Sequence, residues 1–333
     1  LRPILAAFTA SDALLSLDIL TSIRQNPWVW ELDMEFRGRA VTPARVLNAV
    51  TSRVRYNFVR PVVGAVPRFV FGNDAGLSKN LLGRRELSQA QRALQARGVT
   101  PPEHPRAEQF RRQGFVPIDP RYPAGLIDRV RRRYAELIQS DDTSTFNGVG
   151  RFFEASRALK DPLRDLPAVK ELFTDEVQTV IRAYYRSELR VLHVRAWRTR
   201  AVDGVDLEAD AYSNQWHNDH EPVWMVRLFV YLNDGVTRET GAFRVHSVES
   251  TRDIMRSGFI RRSTVIGSAS GKLNDESRIH YFEGDAGAAC LCNVQQCLHR
   301  AGVPRSGSQR DIVQITVAPS TKPFTDWTGV GSG

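Results

Sequence analysis

Cysteine is scarce in this sequence. Only Cys290, Cys292 and Cys297 occur, all in one short stretch of a 333-residue chain. An odd number so clustered is no disulfide framework, and it points to a reducing compartment, the cytoplasm. The spacing C-x-C-x4-C brings zinc into view. No fourth ligand stands at a zinc-type spacing, so small buried thiols are the simpler reading. An apolar run of bilayer length is also missing. Residues 62–71 come nearest, and Pro67 and Arg68 break them. That excludes a transmembrane helix read from hydropathy. The chain shows no internal repeat and no low-complexity tract. It begins with Leu1 and not Met, so removal of a leader is compatible with it.

Negative charge is in deficit. The chain has 46 basic against 37 acidic residues, a net charge of +9 carried mostly by arginine. Such a surplus attracts anions. The arginines are scattered, and no nucleic-acid-binding module is present by motif, so nucleic acid is not the expected partner. The apolar share of 42% is enough for a sizeable core and argues against disorder.

Residues 1–105 carry no chemical motif and read as a basic helical region. Ser11-Asp12 caps an apolar-periodic stretch, 13–23, and Thr42-Pro43 opens a second candidate helix. Ser88–Arg97 reads as a third, ended by Gly98. A plain packing layer is the simpler role for this region; contact with an acidic membrane surface or partner is the alternative. Thr100-Pro101-Pro102-Glu103-His104-Pro105 marks a linker. Residues 106–333 form the second expected domain. Helices are expected at Ala107–Gln113, Gly125–Gln139 and Asp175–Tyr185. Strands are expected near Gly114–Ile118, Leu189–Thr199, Trp224–Leu232, Gly241–His246, Ala288–Val294 and Ile312–Ala318. Helices succeeded by many short strands suggest a β-sandwich or jelly roll carrying a helical layer.

The most informative stretch is Trp216-His217-Asn218-Asp219-His220. In extended backbone, residues two apart point to one side, so His217 and Asp219 can converge on one metal. Two histidines and a carboxylate on one face suit Fe(II) and leave the opposite positions open. His220 and Trp216 are candidates to line the substrate pocket. The third ligand must come from another strand. His299 is ranked ahead of His246 and His280 because Arg310 lies eleven positions after it. Arg310 starts a strand in which Arg310, Ile312, Gln314 and Thr316 share one face. Val313, Ile315 and Val317 share the other. The first face reads as a pocket wall, and its guanidinium can hold a carboxylate with two parallel hydrogen bonds. Between Thr251 and Tyr281 a basic loop is expected. It carries Arg252, Arg256, Arg261, Arg262, Lys272 and Arg278; Arg261 and Arg262 are candidate contacts for an anionic or strongly polar small substrate.

With these residues in place, the sequence resembles the phytanoyl-CoA dioxygenase family of non-haem iron oxygenases. The likeness covers roughly residues 108–320. It begins at Glu108–Val116 and passes through Trp216-His217-Asn218-Asp219 and Thr240-Gly241-Ala242-Phe243. It ends on Gly284-Asp285, His299-Arg300-Ala301-Gly302 and Arg310. The resemblance implies a double-stranded β-helix (cupin-like jelly roll), iron held by His217, Asp219 and His299, and 2-oxoglutarate anchored by Arg310. It also implies decarboxylation of 2-oxoglutarate to succinate and CO2 as a small organic substrate is hydroxylated. One stretch departs from the family. Where Pro-Gly-Ser-His is common, this chain reads His246-Ser247-Val248-Glu249-Ser250, which bears on the substrate loop and not on the iron. Two other readings remain: a different oxidative outcome, such as desaturation or halogenation, and a non-catalytic jelly-roll scaffold. Asp219 occupies the place a halide would need, and the complete ligand set argues against a scaffold.

Overall fold

Alternation along the last long strand sets the architecture. The computed structural model describes residues 77–140, 142–145, 155–201, 215–219, 224–261, 264–265 and 268–332. The helices expected at 13–23 and from Pro43, the apolar run 62–71, His220 and Arg262 lie outside the described residues.

In chain order the elements begin with α1 (Leu77–Ala96), α2 (Pro105–Gln113), β1 (Phe115–Ile118) and α3 (Leu126–Leu137). Then come β2 (Thr143–Thr145), β3 (Ser156–Leu159), α4 (Asp175–Tyr185), β4 (Glu188–Arg200) and β5 (Val226–Tyr231). Local chemistry fixes the helix ends. The His104 ring accepts the Arg106 N–H at the start of α2, proline fills its first position, and left-handed Gly114 ends it. The Thr174 hydroxyl accepts the Val177 N–H at the start of α4, where Asp175 and Glu176 complement the dipole. Helix α1 begins well before the expected Ser88. It is tied to the end of α4 and the start of β4: Gln91 Nε2 donates to Tyr185 O (2.8 Å), and Arg97 pairs with Glu188 (2.9 Å).

The second half contains β6 (Phe243–His246), α5 (Val248–Arg256), β7 (Phe259–Arg261), β8 (Thr264–Val265), α6 (Ala269–Leu273) and β9 (Ile279–Phe282). The chain ends with β10 (Ala289–Cys292), β11 (His299–Arg300), β12 (Gln309–Ser320) and β13 (Gly331–Ser332). The basic loop expected between Thr251 and Tyr281 is thus largely structured. Ser247 caps α5 by accepting the Ser250 N–H, so the segment that departs from the family pattern is a helix start.

The major sheet runs β1-β10-β5-β12-β4-β3-β2, with β13 parallel on β4; the minor sheet runs β11-β6-β9. The pairings within these two orders are antiparallel. Two facing antiparallel sheets with helices behind one of them make the expected jelly roll. Val313, Ile315 and Val317 join Val194, Ala196, Leu228 and Val230 on the outer face, packed with Phe110, Val130 and Ile181 of the helices. Each such fully buried aliphatic side chain contributes roughly 1.5–3 kcal/mol. Tyr231 ties the sheets together. Its hydroxyl donates to Phe282 O (2.8 Å) and accepts the Phe243 N–H (3.1 Å), and Phe229 packs on Phe243 with centroids 4.8 Å apart.

Candidate metal centre

His217 and His299 face each other across an isolated antiparallel bridge. His217 N–H donates to His299 O (3.1 Å) and His299 N–H to His217 O (2.8 Å); Asp219 N–H donates to Val294 O (2.9 Å). Backbone pairing alone therefore brings the two histidines together, with Asp219 two positions further along. Ligand atoms from His217, Asp219 and His299 all lie within 4.8 Å of one another, the one such group among the described residues. Asp219 Oδ1 is 3.6 Å from His217 Nε2 and 3.9 Å from His299 Nε2. Each ring turns its Nδ1 to a carbonyl two residues back, Gln215 O at 2.7 Å and Cys297 O at 3.1 Å. A carbonyl only accepts, so Nδ1 carries the proton and the Nε2 lone pair is left for a metal. Burial, reinforced by His217, lowers the His299 pKa to about 3. The ring is neutral at ordinary pH, as a ligand must be.

Arg310 is 3% exposed. Its Nη1 donates to Gly241 O (2.5 Å) and Gly302 O (3.1 Å), and Nη2 to Thr199 Oγ1 (3.3 Å). Two glycines make this cradle. A Cβ on Gly302 would lie 2.7 Å from the Gly241 carbon, and Gly241 adopts φ +96, so side chains would force apart the backbones that offer the carbonyls. Nε is buried without a partner, and no carboxylate among the described residues pairs with Arg310. Burial lowers its pKa. The Nε–Nη2 edge of a guanidinium has the fork geometry that matches a carboxylate.

Register fills in the rest of the inner wall. Ile312 is flanked by Trp197 and Tyr231, Gln314 by Arg195 and Phe229, and Thr316 by His193 and Arg227. Burial, then the charges of Arg195 and Arg227, lowers the His193 pKa to about 4. Sequence reasoning did not single out Arg195, Arg227, His193 or Thr199. Period two places all four on the inner face, and Arg227 is the one charge in an otherwise apolar strand.

Trp216, His246 and His280 are not members of the triad. Trp216 is 1% exposed and packs with Ile254, Phe259 and Leu298 behind the site. Its ring lies 4.5 Å from that of His246, and Arg300 stacks over it at 4.6 Å. Alternation that turns His217 inward turns Trp216 away, so it does not line the pocket as expected. His246 is fully buried, its ring nitrogens taken by Ser250 Oγ (3.1 Å) and Leu273 O (3.0 Å). His280 lies on edge strand β9 beside Phe115. Neither histidine joins the group of candidate ligands. Arg261 ends β7. Lys272 and Arg278 are both tied to Asp253 at 2.7 Å. Cys290, Cys292 and Cys297 are free and buried.

No family model and no curated protein matches the chain. Among solved structures it is similar to AviO1 from Streptomyces viridochromogenes Tue57, at 18% identity over 66% of this chain and 96% of that one, TM-score 0.44. It is also similar to the epimerase SnoN in complex with Fe3+, alpha ketoglutarate and nogalamycin RO (13% identity, 68% and 90% covered, TM-score 0.45). A third is EctD from S. alaskensis with 2-oxoglutarate and 5-hydroxyectoine (16% identity, 70% and 85% covered, TM-score 0.47). These are distant likenesses; what the site can do is read from its side chains.

Proposed function

We propose that this chain is an Fe(II)- and 2-oxoglutarate-dependent dioxygenase, of the phytanoyl-CoA dioxygenase type, that hydroxylates a small organic substrate. One observation carries the reading. Three metal-ligand atoms lie within 4.8 Å of one another, and in the same sandwich a buried guanidinium keeps one donor, Nε, without a partner. The donor set fits Fe(II): two imidazoles and one carboxylate, which leave positions for further ligands. The Arg310 edge fits the distal carboxylate of 2-oxoglutarate, which a dry pocket would otherwise disfavour.

Each residue then has a task. His217 and His299 offer Nε2, Asp219 offers Oδ1, and Arg310 with Thr199 orients the co-substrate. Phe229 and Phe243 keep the space between the sheets dry. With iron and 2-oxoglutarate bound, the site supplies dioxygen chemistry: CO2 leaves, one oxygen atom ends in succinate and the other in the substrate. Arg195 on the inner wall supports an anionic or strongly polar substrate, with Arg261, Arg262 and His220 as further candidate contacts. Of two substrates differing only in acid against amide, the acid is expected to stimulate succinate formation more.

Anaerobic addition of Fe(II) and 2-oxoglutarate should produce a visible metal-to-ligand absorption, and oxygen should then yield succinate. Absence of both from folded protein would sink the reading.

A further inference from the structure

We propose that Arg227 is a positioning residue for the metal centre. It holds the second oxygen of Asp219, so that this carboxylate offers the metal one oxygen and leaves the neighbouring coordination position open. The inference rests on the reading of His217, Asp219 and His299 as a metal site.

The geometry comes from the sheet. Arg227 stands on β5, opposite Thr316 of β12 on one side and Cys292 of β10 on the other. Regular pairing on both sides fixes its backbone, and period two turns it inward with Phe229 and Tyr231. Its Nη2 forms an ion pair with Asp219 Oδ2, and the two side chains are only 15% and 17% exposed. The other oxygen, Oδ1, is the one that faces both histidine Nε2 atoms. The two carboxylate oxygens are thereby given different work.

That division matters for coordination. A carboxylate ligand binds through one oxygen or both. Two histidines and one single-oxygen carboxylate leave three of six positions, enough for a two-point chelate and one more ligand. A carboxylate bound through both oxygens takes one of the three. A charge-assisted bond to a guanidinium on a fixed strand opposes that rotation. Metal affinity alone is pulled two ways, because the same guanidinium orients the ligand and repels the cation. The informative quantity is therefore how well the metal-loaded protein takes its chelating co-substrate.

The test compares wild type, R227Q, R227K and D219A, each loaded anaerobically with Fe(II) and, in parallel, with Co(II). Three quantities are read: the melting temperature of the metal-free protein, the Co(II) visible spectrum, and the 2-oxoglutarate dissociation constant of the Fe(II) form. In R227Q the Co(II) spectrum should change, and 2-oxoglutarate should bind about tenfold or more weakly, in the range of changes just outside a metal's ligands. R227K should fall between, since a single donor pins the oxygen less firmly than a fork. An R227Q protein with unchanged spectrum and unchanged 2-oxoglutarate affinity overturns the proposal. So does R227K equal to wild type beside a defective R227Q, which would assign charge alone. If R227Q does not fold, R227K is judged by the same two readouts. D219A separates the two levels. Metal lost in D219A with R227Q normal removes only the role of Arg227, whereas metal retained in D219A removes the metal centre itself.

Discussion

Arg310 lies within the 12-residue strand β12, paired along its length with β4, whereas His217 and His299 meet across one isolated bridge. The Arg310 end, proposed to bind a carboxylate, is set in regular sheet, and its side chain is part of the packing: Arg310 supplies the donors for two backbone carbonyls. The metal end is held by backbone bonds that do not involve the ligand side chains. On the proposed function, the Arg310 side chain couples binding to packing, whereas the His217–His299 bridge is made by backbone and Asp219 alone of the triad is tied by an ion pair to the sheet.

The largest expected effects fall on the metal end. Replacing His217, Asp219 or His299 by alanine should weaken Fe(II) binding well beyond the roughly 10–100-fold of changes outside the ligand set. In His217→Ala the melting temperature of the metal-free protein should move least, because the bridge is made by backbone; Asp219→Ala also leaves Arg227 without this partner and should melt lower. Metal titration and thermal melts on the same samples check both halves. A His299→Ala protein with wild-type affinity would exclude His299 as a ligand.

At the other end the two effects should appear together. Removing one partner of a buried charged pair costs roughly 3–5 kcal/mol, or about a hundred- to several-thousand-fold in affinity. Arg310→Ala should therefore keep iron and lose 2-oxoglutarate by that factor. It should also melt lower, since Gly241 O and Gly302 O lose a buried donor, at about 1–3 kcal/mol for such a loss. Arg310→Lys should recover affinity only in part. A 2-oxoglutarate dissociation constant within about twofold of wild type, far below that loss, would take Arg310 out of the site.

Between the two ends stands Tyr231, which fastens one sheet to the other. Tyr231→Phe leaves the Phe243 N–H and the Phe282 carbonyl without this partner. The expected cost is about 1–3 kcal/mol of stability, with metal binding kept. Denaturant unfolding measures it, and an unchanged midpoint would show that the hydroxyl does not hold the sheets.

Legibility in the sequence depends on the range of the interactions. The inward faces of β12 and the His217–Asp219 pair are readable because period two is local. His299 can be ranked but not fixed, since the bridge to His217 joins distant parts of the chain. Helix α5 escapes a sequence reading: its cap, Ser247, stands where a family pattern suggests a loop. Trp216 is misplaced by nearness to His217 in sequence, although alternation sends neighbours to opposite faces. The pairing of Arg227 with Asp219 needs two strands brought together, and no spacing announces that.

The smallest effect concerns His246, the histidine that competes for the metal in sequence and instead sits behind the minor sheet. Leu273 O can only accept, so Nε2 carries the proton and Nδ1 accepts from the Ser250 hydroxyl. Burial, aided by Arg278 and Arg300, lowers its pKa to about 4, against about 6.5 in an unfolded chain. As pH falls, the unfolded state therefore takes up this proton first. The stability that the neutral ring contributes is complete above about pH 6.5 and is lost as pH falls toward 4. The loss is at most about 1.4 kcal/mol per pH unit in that window. His193 and His299 act in the same sense, so the wild-type slope is shared. His246→Asn can donate to Leu273 O and accept from Ser250 without titrating. Thermal melts of both metal-free proteins from pH 7 to 4.5 should show the variant less stable near neutrality and the gap closing as the pH drops. A gap that stays constant across the window would exclude His246 from the acid response.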